Sequence, residues 1–195
     1  MKKLLSILVC VSCLFGVHTA KAQSIALRTN LAEWALMAPN IGVDLVLNEY
    51  STLNIGVAAT VGENYIHDAF VQSGQIEYRY WFSHQPYENF FLGLQFSPSH
   101  YRVKVNHNKN IYDKSGNFLR QEKKDLSHFG VAFPVGFNFG YSWPLTSKLN
   151  IEACYGAGWY FYNNKCWGSG IKPTTSHNID FSTTNVGVNI TYILK

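Results

Sequence analysis

Five charged residues stand in segments where apolar residues alternate with small or polar ones, which makes them candidates for a buried ion-pair network. Arg79, for example, lies between Tyr78 and Tyr80. A charge buried alone is costly, so carboxylates and guanidinium groups on one interior face must pair with one another. The set is Arg28, Asp44, Glu77, Arg79 and Glu152. We expect these residues to fill the interior of the fold as a structural network, and a conducting pore lined by the same charges is the alternative.

A basic segment between residues 102 and 124 could bind an anionic surface. It holds seven Lys and Arg against Asp113 and Glu122, a net charge of +5, while the rest of the chain after residue 22 has a net charge of −4. The candidate contact residues within it are Lys104, Lys109, Lys114, Arg120, Lys123 and Lys124. Clustered positive charge attracts anionic surfaces over several ångströms. A solvated loop without a ligand is the alternative.

Histidine, serine and cysteine give weaker indications of chemistry. Four histidines fall in or beside the longer connections, namely His67, His107, His128 and His177. They lack the HxxH or HxH spacing of metal ligands, so we predict no metal and no cofactor. Ser127 and His128 are adjacent and would point to opposite faces of a strand, so they are not a catalytic pair. No catalytic residue is predicted, and Cys154 and Cys166 are expected to lie too far apart for a disulfide.

The segment from Phe129 to Trp143 indicates which elements must hold these residues. Its odd positions are all large and apolar or aromatic, and its even positions are Gly, Ala, Pro, Asn or Ser. A period of two residues predicts a strand with two unlike faces. The small face suits the interior of a narrow closed barrel, and the large apolar face suits hydrocarbon.

The same alternation recurs along the chain and predicts eight strands. They cover approximately residues 25–31, 41–47, 53–62, 76–82, 90–105, 129–143, 149–161 and 184–194. The connections after the second, fourth and sixth strands are short, and those after the third, fifth and seventh are longer. Short turns on the periplasmic side and longer loops outside are typical of outer-membrane barrels. The sequence therefore predicts an all-β fold, an eight-stranded antiparallel transmembrane β-barrel, with a hairpin of residues 104–125 rising above it.

Pro98 and Pro134 fit a closed barrel worst, because proline removes a hydrogen bond from the ladder. Beyond Pro98 the apolar residues change from even to odd positions, starting with Tyr101, which predicts a β-bulge. Counted from the short-turn ends, Pro98 and Pro134 lie at nearly the same height. We expect a shared irregularity in pairing between the fifth and sixth predicted strands.

Residues 1–22 have the pattern of a secretory signal peptide, with Lys2 and Lys3 before an apolar run and Ala20 and Ala22 at the cleavage site. A lipoprotein signal at Cys13 is the alternative. Residues 23–195 are expected to form one barrel domain. Without the three lysines of the signal, sixteen Lys and Arg become thirteen against twelve Asp and Glu, a net charge of +1 instead of +4. No nucleic-acid partner is therefore predicted.

Several short segments resemble an uncharacterised family of small outer-membrane β-barrels common in Bacteroidetes, a domain of unknown function. These segments are residues 27–31, 39–43, 77–82 and 149–152. The architecture is also similar to the eight-stranded barrels of the outer-membrane protein A and X type. Family members often carry a close cysteine pair in the last loop, where this chain has only Cys166. The resemblance implies a fold and a location and brings no activity.

We therefore expect a monomeric, non-enzymatic protein of the outer membrane, exported through the Sec pathway. It would support the envelope or bind and adhere through its outer loops. The expected partners are outer-membrane lipid and lipopolysaccharide, the latter contacted by the basic segment. A lipid A hydrolase or acyltransferase and a small pore are the alternatives. A soluble lipocalin-like barrel would need its many large apolar residues inside, where eight strands leave too little room.

Overall fold

A computed structural model describes residues 24–61, 68–112, 115, 118–168 and 171–194, without the side chains of residues 68, 105–112, 119–125 and 171–172. The predicted signal peptide lies outside these residues. The elements are β1 (Ile25–Asn30), α1 (Leu31–Ala35), β2 (Asn40–Asn48), β3 (Ser51–Ala59), β4 (Asp68–Trp81), β5 (Asn89–Phe96), β6 (Ser99–Tyr112), β7 (Phe118–Pro144), β8 (Leu149–Gly168) and β9 (Ile171–Ile193). No helix in the described part of the chain is long and apolar enough to span a membrane.

The nine strands of the described residues form one antiparallel sheet that closes into a ring. Among these strands, those that follow one another along the chain are paired, except that β5 is not paired with β6. Strand β9 returns to pair with β1. Both β5 and β6 lie between β4 and β7. The all-β, antiparallel prediction is confirmed, and the segment predicted as the fifth strand is divided in two.

Strand β7 shows why the ring has two unlike faces. Its even residues from Ala132 to Ser142 are buried, and the odd residues Phe133 to Phe139 are 38–57% exposed. The small even residues also let the strands approach closely. A Cβ atom on Gly158 of β8 would lie only 2.4 Å from the Cα atom of Gly136 on β7, so neither position has room for a side chain.

The division between β5 and β6 lies at Ser97 and Pro98, opposite Pro134, where the irregularity was expected. The Ser97 amide donates to the Pro134 carbonyl (3.1 Å), and the Gly74 amide donates to the Pro98 carbonyl (2.9 Å). The predicted β-bulge is wrong. Phe96 pairs with Val135 and Ser99 with Ala132, so the same number of residues separates the pairs on both strands.

The change of apolar parity beyond Pro98 has a different cause. The outward residues of β6 become polar, beginning with His100, Arg102 and Lys104, all of which are exposed. Tyr101 and Val103 lie on the inner side and are half-buried. The strand therefore keeps its orientation. At this height its outer face lies beyond the apolar belt, the band of exposed apolar side chains around the outside of the ring.

Several strands are longer than predicted. Much of the polar segment 163–177 is not a loop, because β8 and β9 continue to pair as far as Gly168 and Ile171. Strands β6 and β7 form the expected hairpin, which pairs up to Tyr112 and Phe118. The described pairing of β6 with β4 ends at Lys104 and that of β7 with β8 at Leu126, so the hairpin extends beyond the described part of its neighbours.

Candidate functional site

The five charged residues of the predicted network lie together inside the ring, although they come from four strands. Arg28 is on β1, Asp44 on β2, Glu77 and Arg79 on β4, and Glu152 on β8. Each side chain points inward, and none is more than 6% exposed. Strand alternation explains the direction of each side chain, and closure of the ring explains why distant strands bring them into contact.

Arg28 and Arg79 are paired with three carboxylates, two of which, Glu77 and Glu152, they share. The guanidinium of Arg79 binds Glu77 at 2.9 Å and Glu152 at 2.8 Å. Arg28 pairs with Asp44, lies 3.5 Å from Glu77, and its Nε lies 3.9 Å from Glu152. The two cations are thus linked through common anions, which offsets the cost of removing them from water.

Neutral side chains also donate hydrogen bonds to the three carboxylates. The amide of Asn54 donates to Asp44 (2.7 Å), and the amide of Asn138 donates to Glu77 (2.7 Å). Three weaker hydrogen bonds are made by Gln75 to Glu77 and by Asn189 and Thr191 to Glu152. Strand alternation puts these residues on the inner face, but their roles depend on which strands face each other.

An aromatic floor closes the interior at the short-turn end. Trp81, Tyr87 and Phe91 are at most 3% exposed, and the Arg79 guanidinium lies 4.2 Å from the Phe91 ring centre. Tyr87 belongs to the turn between β4 and β5, which folds into the ring with a φ of 71° at this residue. Its carbonyl accepts hydrogen bonds from Ser142 and Asn150. Burial raises the pKa of Tyr87 well above the usual range, which keeps the phenol neutral.

The basic segment is only partly described. Lys104 is exposed on β6, at the height where the apolar belt ends. The backbones of Lys109, Arg120, Lys123 and Lys124 lie in the β6–β7 hairpin, but their side chains, and the whole of Lys114, lie outside the described residues. The contact of this segment with lipopolysaccharide therefore stays a prediction.

The structure brings together a thiol and an imidazole that sequence reasoning did not connect. His128 on β7 pairs with Cys166 on β8, and the Cys166 Sγ lies 3.9 Å from the His128 Nε2. Asn164 lies 3.0 Å from the His128 Nδ1 on the other side of the ring. The three side chains share the inner face above the apolar belt. Only the register of β7 against β8 reveals this arrangement, because 38 residues separate His128 from Cys166 along the chain.

The remaining histidines and cysteines form no further cluster in the part of the chain that the structure describes. His67 and the side chain of His107 lie outside the described residues, and His177 contacts Asn163. No group of three or more described His, Cys, Asp or Glu side chains is arranged to hold a metal ion. Cys154 and Cys166 are both free, as predicted, although Cys166 lies on β8 with Cys154 and not in the loop where the sequence placed it.

Comparison with known proteins gives a family without an assigned activity. Residues 6–194 match the family described as a protein of unknown function (DUF3575). This agrees with the resemblance to a domain of unknown function, while an origin in Bacteroidetes stays a prediction. No curated protein matches the chain. A major outer membrane protein from Thermus thermophilus aligns over 89% of this chain and 100% of its own, with 11% identity and a TM-score of 0.38. These values are too low for residue roles to be transferred.

Proposed function

The chain belongs to the DUF3575 family of proteins of unknown function, and we propose from its geometry that it is a non-enzymatic β-barrel of the outer membrane. In this proposal residues 1–22 direct export and residues 23–195 insert as a monomer. The barrel supports the envelope and binds anionic surface groups through its outer hairpin.

The observation that carries this proposal is the distribution of polar and apolar side chains. The described interior is filled by charged and amide side chains, including Arg79, Glu77 and Asn138, each fully buried. Large apolar side chains cover the outside, among them Leu92, Leu94, Phe96, Phe137 and Phe139, which are 39–57% exposed. Water would favour the reverse arrangement, whereas a lipid environment favours this one.

The topology supports eight membrane crossings. Strands β5 and β6 follow one another at a single position of the ring, so the nine strands occupy eight positions. Bacterial outer-membrane barrels have an even number of strands. Pairing of β9 with β1 from Ala26 to Asn30 closes the sheet into a ring, which suits hydrocarbon, where each unsatisfied backbone group would cost several kcal/mol.

Membrane fractionation with a heat-modifiability gel tests the proposal. We expect the expressed protein to sediment with outer membranes and the unboiled form to migrate at a different apparent mass from the boiled form, because closed barrels resist detergent unfolding. Recovery of the protein in the soluble periplasmic fraction would contradict membrane insertion.

The proposed surface role rests on the hairpin of β6 and β7. Val105 pairs with Leu126, so residues 106–125 can be replaced by an Asn-Gly turn that joins the two strands without changing their register. We expect this variant to remain a heat-modifiable barrel and to lose most of the salt-sensitive binding of wild-type protein to lipopolysaccharide vesicles.

A second variant tests whether the positive charge of the hairpin, and not its shape, is needed for binding. It keeps the hairpin and changes Lys104, Lys109, Lys114, Arg120, Lys123 and Lys124 to Gln. This variant should lose as much binding to lipopolysaccharide vesicles as the variant with the shortened hairpin. Unchanged lipopolysaccharide binding by both variants would remove the hairpin from the proposal.

A lipid A hydrolase or acyltransferase is the second candidate, and the arrangement of Cys166, His128 and Asn164 favours it. With the Asn164 amide reversed, its oxygen would accept from the His128 Nδ1, and the His128 Nε2 would be free to accept the thiol proton. The thiolate could then attack an ester carbonyl, with the protonated imidazole returning the proton to the alcohol that leaves.

Mass spectrometry of lipid A incubated with purified protein separates the two candidates. Our main proposal predicts no change in mass with either the wild type or Cys166→Ser. A loss or gain of an acyl chain with the wild type that disappears in Cys166→Ser would establish the enzyme instead.

A further inference from the structure

A cavity of about 270 Å³ lies inside the ring, above the charge network and toward the loop end. It exists because the inward residues at this height are small, among them Gly42, Gly56, Ser73 and Ser97. Below it the inward positions carry the large side chains of Arg79, Trp81 and Phe91, which are at most 2% exposed. The sizes of the side chains on the inner face therefore determine where the cavity lies.

Many of the residues that line the cavity carry groups that both donate and accept hydrogen bonds. Its seven amide side chains are Asn30, Asn40, Asn54, Gln75, Gln95, Asn185 and Asn189. Gln95 is 3% exposed, and its Oε1 atom accepts no hydrogen bond within the described part of the chain. Buried polar atoms are normally paired. An unpaired amide oxygen in the wall of a polar cavity can be paired by water or by a ligand that donates a hydrogen bond to it.

The floor of the cavity carries hydrogen-bond donors, which complement the acceptor of Gln95. Arg28 and Arg79 line it, and the Nε atom of each makes no hydrogen bond to the described residues. Their guanidinium groups are otherwise bound to the three carboxylates of the network. The residues at the floor of the cavity thus carry unpaired donors, and Gln95 in its wall carries an unpaired acceptor.

Charge narrows the class of ligand. Two Arg and three carboxylates give the network a net charge of −1, so an anion would add to an excess of negative charge. A cation would have to approach the two guanidinium groups of the floor. Glu33 also lines the cavity. Burial raises the pKa of Glu33, although a hydrogen bond with Asn30 opposes the shift, and a raised pKa weakens its pull on a cation.

We propose that this cavity binds a neutral molecule with several hydroxyl groups, of the size of a single sugar ring. Hydroxyls can accept from the arginines of the floor and donate to Gln95. The volume equals that of about nine liquid waters and lies just below the usual range of small-molecule sites. The half-buried Tyr160 in the wall offers an aromatic surface for the apolar side of such a ring. This inference concerns the interior and does not depend on the hairpin.

The test uses the full folded barrel in detergent and three probes that differ in charge. Methyl α-glucoside is neutral, glucose 6-phosphate is anionic and glucosamine is cationic at neutral pH. Binding is followed by saturation-transfer NMR and by titration calorimetry. We expect saturable binding of methyl α-glucoside and at least tenfold weaker binding of the two charged sugars.

Two variants of neighbouring residues locate the site. Ser73→Phe fills the cavity and should weaken binding of methyl α-glucoside at least tenfold. Gln72→Phe makes the same change on the exposed face of β4 and should alter binding less than twofold, and both variants should remain heat-modifiable. Gln95→Leu, which removes the unpaired acceptor while keeping the shape, should weaken binding at least fivefold.

The proposal is overturned by three results. One is no saturable binding of methyl α-glucoside at concentrations far above a millimolar Kd. The second is equal binding by the wild type and a correctly folded Ser73→Phe variant. The third is a preference for either charged sugar, which would assign the cavity to another class of ligand.

Discussion

Replacing Arg79 by Ala should destabilise the barrel by about 3–5 kcal/mol, the usual cost of removing one partner from a buried ion pair. Arg79 is fully buried and binds both Glu77 and Glu152. Its loss leaves Arg28 as the only described cation for three buried carboxylates. The free energy of unfolding can be measured by urea titration in lipid vesicles, with the fraction folded read from the heat-modifiable band.

Arg102 provides the matched control for Arg79. It is an exposed arginine on the outer side of β6, so Arg102→Ala should change stability by less than about 0.5 kcal/mol. The double variant Arg79→Ala with Glu152→Gln should recover part of the loss, because it removes one of the uncompensated charges.

Single-channel recording on the same proteins separates a structural network from a pore. The aromatic floor of Trp81, Tyr87 and Phe91 lies across the interior at the short-turn end, so we expect no conductance from the wild type or from Arg79→Ala. A conductance change in Arg79→Ala without a loss of stability would support the pore instead.

Replacing Phe137 by Arg should lower the stability of the inserted barrel by about 2–4 kcal/mol, the cost of a cationic side chain at the middle of the bilayer. Phe137 is 55% exposed on the outer face of β7, with Leu94 of β5 and Ala157 of β8 as its cross-strand neighbours. The measurement is again urea unfolding in vesicles, together with the yield of protein recovered in outer membranes.

Leu145→Arg is the control for the depth of the substituted residue in the bilayer. Leu145 is 59% exposed in the turn after β7, outside the apolar belt, where the same substitution should cost about 1 kcal/mol or less. If Phe137→Arg is neutral or increases the soluble fraction, the outer face is in water and the proposed membrane location is wrong.

The sequence determined which residues lie on the inner face and which on the outer face of most strands. Alternation is a local property, because successive side chains of a strand point to opposite sides whatever the strand pairs with. Arg28, Asp44, Glu77, Arg79 and Glu152 could therefore be placed inside from their parity alone. The large apolar residues at alternate positions likewise indicated a lipid-facing surface, and the two prolines located the irregularity between neighbouring strands.

Only the tertiary structure decided which of these residues touch. Contacts between strands depend on register and on closure of the ring, and both are set by pairing between segments far apart in the chain. The sharing of Glu77 and Glu152 between two arginines follows from that register, as does the approach of His128 to Cys166. Tyr87 enters the interior because its turn folds inward, which the turn residues alone did not indicate.

The wrong bulge at Pro98 has the same physical origin. A change of apolar parity can mean an inserted residue or a change of the surrounding solvent, and the sequence pattern is identical in both cases. The constant register on either side of Ser97 and Pro98 distinguishes them. Local alternation thus determined the two faces of the barrel, while long-range pairing decided its charge network, its floor and the cavity between the network and the loops.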